Sequence, residues 1–106
     1  GKERRYVMVL VGMLSYPSES ANEVGKRFLN QKPLPGYITM KGPYINGILG
    51  EGIRSLLIYE CERSKLPDAI EFMGNRLASY IGVPGYTYSI QVWYEATEAL
   101  KMIGLA

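Results

Sequence analysis

The chain has 106 residues, 47% of them hydrophobic and 21% charged, with twelve Lys+Arg against ten Asp+Glu. A chain of this size buries roughly two thirds of the surface its unfolded form exposes, enough for one core without disulfides or structural metal. Histidine is absent, which excludes His-containing triads, His-ligated zinc or haem and imidazole acid-base chemistry. The net charge of +2 with scattered basic residues is no nucleic-acid footprint, and no apolar run approaches the length of a membrane helix. One cysteine, Cys61, and the lack of a leader-like opening point to a reducing, cytoplasmic setting.

Residues 1–5, with Lys2-Glu3-Arg4-Arg5, read as a flexible amino-terminal arm before a single domain over 6–106. Tyr6 to Leu14 is rich in β-branched residues and apolar at both parities, which predicts a central strand covered on both faces. Ser20 and Glu23 have capping-box spacing, and Ala21, Val24, Phe28 and Leu29 define one side of a helix over about 20–30. Tyr37 to Lys41 alternates like a strand, interrupted by Gly42-Pro43, so an edge position or a bulge is expected.

The glycines at 47, 50 and 52 mark a hairpin reversal into a third strand over Ile53 to Cys61. Pro67 and Asp68 suit the first turn of a second helix whose apolar stripe is Leu66, Ile70, Met73, Leu77 and Ile81. A fourth strand follows over Tyr86 to Tyr94, and Ala96 to Ile103 forms a short helix that ends before Gly104. The fold class is therefore α+β. The order βαββαβ predicts a ferredoxin-like, four-stranded antiparallel sheet with helices on one face. A greasy opposite face on so small a domain calls for a partner, most simply a second copy across a two-fold axis.

The chain resembles the dimeric α+β barrel superfamily, most closely in texture its uncharacterised small families. The resemblance rests on the Tyr6 to Leu14 strand, Arg27-Phe28-Leu29, Gly36-Tyr37, Arg54 through Glu62, Trp93-Tyr94-Glu95-Ala96 and Ala99-Leu100-Lys101. It implies a homodimer with a cavity between paired sheets, and through its monooxygenase members an alternative activity: cofactor-independent oxygenation of a small aromatic substrate.

Strand parity selects the side chains of that interior. Arg54 and Glu60 share a face of the third strand, while Ser55, Leu57, Tyr59 and Cys61 share the other. Gln91, Trp93 and Glu95 are assigned to the barrel side of the fourth strand, and Tyr37, Thr39 and Lys41 to that of the second; Tyr88, Ile90 and Val92 turn toward the helices. The first strand, apolar at both parities, cannot be assigned this way. Trp93, Gln91, Glu60, Arg54 and Thr39 are thus the candidate ligand-binding residues, for a small apolar or aromatic ligand with no cofactor and no metal. Competing with that reading is a purely structural one, in which Trp93 anchors a dimer interface and Arg54 pairs across it. In the oxygenase alternative Trp93 and Gln91 stabilise a substrate anion and Glu60 acts as base. Cys61, with no partner to activate it, reads as a buried structural thiol.

Overall fold

The computed structural model describes residues 7–105, so the amino-terminal arm, with Tyr6, lies outside the described residues. Four strands, β1 (Val7–Tyr16), β2 (Thr39–Ile48), β3 (Gly52–Glu62) and β4 (Thr87–Tyr94), form one antiparallel sheet in the order β2-β3-β1-β4. Three α-helices accompany it: α1 (Ala21–Leu29), α2 (Leu66–Ala78) and α3 (Ala96–Met102). No helix among the described residues is long and apolar enough to cross a membrane.

The ambiguity of β1 is resolved by its neighbours. Its burial alternates strictly, with Met8, Leu10, Gly12, Leu14 and Tyr16 inside. Registers Leu10↔Tyr59 and Leu10↔Val92 put the buried set on one sheet face with Leu57, Tyr59 and Cys61. α2 covers that face through Ala69, Met73 and Leu77, and Tyr80 and Val83 extend the contact beyond the helix end. At Gly12 a Cβ would meet Met73 Sδ at 3.1 Å and Leu77 Cδ1 at 3.2 Å, so the missing side chain is what lets α2 sit this close to the sheet.

Several boundaries and faces differ from the sequence reading. The capping box does not form: Ser20 ends a 3-10 turn at φ −91°, ψ 1°, outside the extended region an N-cap needs, and its Oγ donates to the Pro84 carbonyl at 2.8 Å. Glu23 instead pairs with Arg27 at 3.1 Å. Leu29 is 82% exposed because it lies past the buried side of a nine-residue helix. On α2 the inward face is Leu66, Ala69, Met73 and Leu77; Ile70 is exposed, and Ile81, also exposed, lies in the turn past the helix end. β2 runs on through Gly42-Pro43 and Asn46-Gly47 as an edge strand, taking up the break as a register shift between Lys41 and Tyr44. Tyr37 precedes β2 and packs against the core, with Lys65 Nζ 5.3 Å from its ring centre, so it does not join the opposite face.

α1 is held chiefly by its ends. Besides the Ser20 bond, the Arg27 guanidinium donates to the carbonyls of Ser79 at 3.0 Å and Ile81 at 2.9 Å. α3 is tied to the end of β3 by the ion pair of Arg63 with buried Glu98.

Candidate functional site

The face opposite α1 and α2 is built in rows that the strand register fixes. Thr39, Glu60, Val9 and Trp93 form one row; Lys41, Ile58, Val11 and Gln91 the next; Leu56, Met13 and Ser89 a third. Asn46, Arg54, Ser15 and Thr87 close the far end. The centre of the face is therefore aliphatic, from Val9, Val11, Met13, Leu56 and Ile58, all half-buried by their sheet neighbours. Its margins are polar. Tyr44 and Trp93 stand at opposite edges, 57% and 54% exposed.

All five sequence-derived candidates point to this face, but they do not converge within one protomer. Thr39 and Glu60 are paired neighbours that border a groove with Tyr37 and Lys65. Trp93 lies two strands from Glu60, roughly 10 Å away at the usual strand spacing. Its Nε1 donates to Gln91 Oε1 at 3.1 Å, which fixes the two side chains against each other. Arg54 is six residues from Glu60, roughly 20 Å along β3, and its Nε donates to Asn46 Oδ1 at 3.0 Å. Glu60 takes Lys41 Nζ at 3.1 Å instead. The Glu60 carboxylate is thus neutralised by a partly exposed cation, and such a pair is worth about 0–1 kcal/mol.

A second concavity lies on the opposite side of the sheet, and sequence reasoning missed it. Between α1, α2 and the sheet is a cavity of about 160 Å³, walled by hydrocarbon from Leu14, Val24, Phe28, Leu57 and Leu77 and bordered by Tyr16, Gly25, Tyr80 and Arg76. α1 forms one wall of it, with Val24 buried in the core and Gly25 leaving a gap beside it. Gly25 is the one signal in the sequence, since a glycine in the middle of a helix weakens it. Arg76 is the only charged residue among the described residues that line the cavity; its Nη1 donates to the Lys32 carbonyl at 3.2 Å. Nearby, the Tyr59 hydroxyl is wholly buried beside Arg76. Burial pushes its pKa up, and the positive charge of Arg76 pulls against that shift.

Burial likewise pushes up the pKa of the Cys61 thiol, the opposite of what a thiolate nucleophile needs. No group of three or more His, Cys, Asp or Glu side chains gathers into a metal-binding cluster among the described residues. In comparisons with known proteins, no family model, curated protein or solved structure matched the chain.

Proposed function

We propose that the chain is a ferredoxin-like domain that pairs through the open faces of two sheets into a homodimeric α+β barrel, holding a small molecule between them. The observation that carries this reading is the one-sided cover of the sheet: α1 and α2 both lie on the Leu10 face, and the Val11 face has an aliphatic centre with a polar margin. That zoning is the anatomy of a protein interface. Four strands of about ten residues present roughly 600 Å² in projection, close to the roughly 800 Å² per partner of a standard interface.

In the paired state Trp93, Gln91, Thr39 and Glu60 face the inter-sheet space and supply the few polar groups a small ligand needs, while Arg54 sits at the rim within reach of the partner. Denaturant unfolding tests the reading. A dimer gains stability by mass action, so a hundredfold rise in chain concentration adds about 2.7 kcal/mol and raises the midpoint. A midpoint independent of concentration contradicts it.

A further inference from the structure

The cavity beneath α1 lies on the other side of the sheet from the proposed dimer interface, so its role stands or falls separately. We propose that it binds a small organic anion, a carboxylate carried on a single ring or an equally short aliphatic chain, with the charge directed at Arg76. The size fits: the cavity measures about 160 Å³, and an engineered apolar cavity of roughly 150 Å³ binds benzene. The chemistry fits as well. Val24, Phe28, Leu57 and Leu77 offer only hydrocarbon, so the body of the ligand must be apolar.

Among the described residues Arg76 supplies the one charge of the lining, with no carboxylate beside it there. The bond to the Lys32 carbonyl occupies Nη1, whereas a guanidinium carries five N–H donors in a planar fork matched to a carboxylate. The buried Tyr59 hydroxyl lies beside Arg76, behind the cavity wall. A ligand oxygen at Arg76 would complete the polar end of the cavity. Gly25 adds an independent observation. Its φ is not positive, and a Cβ there would meet nothing within 4 Å, so neither backbone strain nor crowding demands glycine. Its lack of a side chain keeps the α1 wall of the cavity thin.

Titration of the full chain with benzoate, benzylamine and toluene, followed by NMR shifts of Val24, Gly25 and Leu77, tests the proposal. Benzoate is expected to shift those resonances and to bind at least tenfold more tightly than benzylamine. Arg76→Gln should remove that preference and leave benzoate no tighter than toluene. Gly25→Leu should fill the cavity and abolish binding of all three probes while the melting temperature stays level or rises, which separates occlusion from unfolding. Absence of shifts at millimolar benzoate, equal binding of benzylamine, or benzoate binding that survives Gly25→Leu would each overturn it.

Discussion

Leu10 and Val11 are adjacent in β1 and face opposite worlds. Leu10 is wholly buried among Tyr59, Met73 and Leu77, whereas Val11 lies half-buried between Ile58 and Gln91 on a surface that neither α1 nor α2 covers. The covered face is finished by its own chain: large side chains interlock with a helix, and one glycine is spent to bring that helix close. The open face has the same aliphatic chemistry at its centre but only sheet neighbours to shelter it. The difference shows that burial on one side comes from the chain's own α2, distant in sequence from the β1 it covers, while the other side is sheltered only by its sheet neighbours.

Substitutions on the two faces should separate these sources of stability. The largest expected effect is at Leu10→Ala, which removes atoms from a site with no exposure and should cost about 2–5 kcal/mol of protomer stability. Measured by urea unfolding, that loss should be the same at every chain concentration. Ile58→Asp should instead weaken association about a hundredfold by placing a charge at the centre of the open face. Far-UV circular dichroism should stay unchanged while the dimer signal in sedimentation is lost; a change in both would show that Ile58 serves the protomer's own fold.

A third effect belongs to the covered face alone. Burial raises the pKa of Tyr59, Tyr80 and Tyr86 above the ordinary value of 10.0. The folded chain therefore keeps protons that the unfolded chain releases at high pH. The resulting stability is complete below pH 10 and is lost as the pH rises through the folded-state values. The unfolding midpoint should fall between pH 8 and pH 11; a flat profile would mean these hydroxyls meet water in the folded state. The smallest effect is expected at Lys41→Ala, which breaks the partly exposed pair with Glu60 and should cost less than about 1 kcal/mol, as measured by the same unfolding assay.

Much of this division was legible in the sequence. Parity along Arg54 to Cys61 separates Leu57, Tyr59 and Cys61 from Arg54 and Glu60 because an unbroken strand alternates, and the burial of β3 follows it. The same rule assigns Thr39, Gln91 and Trp93. It fails at Tyr37, which adopts a turn before β2 begins, and it is silent on β1, where both faces are apolar and only the register decides. Helix faces were harder. Ile70 has the right chemistry but the wrong angle, Ile81 falls in the turn past the helix end, and small Ala69 takes the fully buried place beneath α2. The Ser20 to Glu23 spacing is a local signal overridden by a tertiary bond to Pro84. Nothing in the periodicity of α1 discloses the cavity beside it, because the seating of the helix depends on anchors at Ser79, Ile81 and Pro84, distant in sequence.

Light scattering on the purified chain at micromolar concentration tests the account most directly. A particle of twice the chain's 11.9 kDa mass, reduced to single mass by Ile58→Asp, is the predicted result. A stable particle of single mass, with the Val11 face open to water, would contradict it.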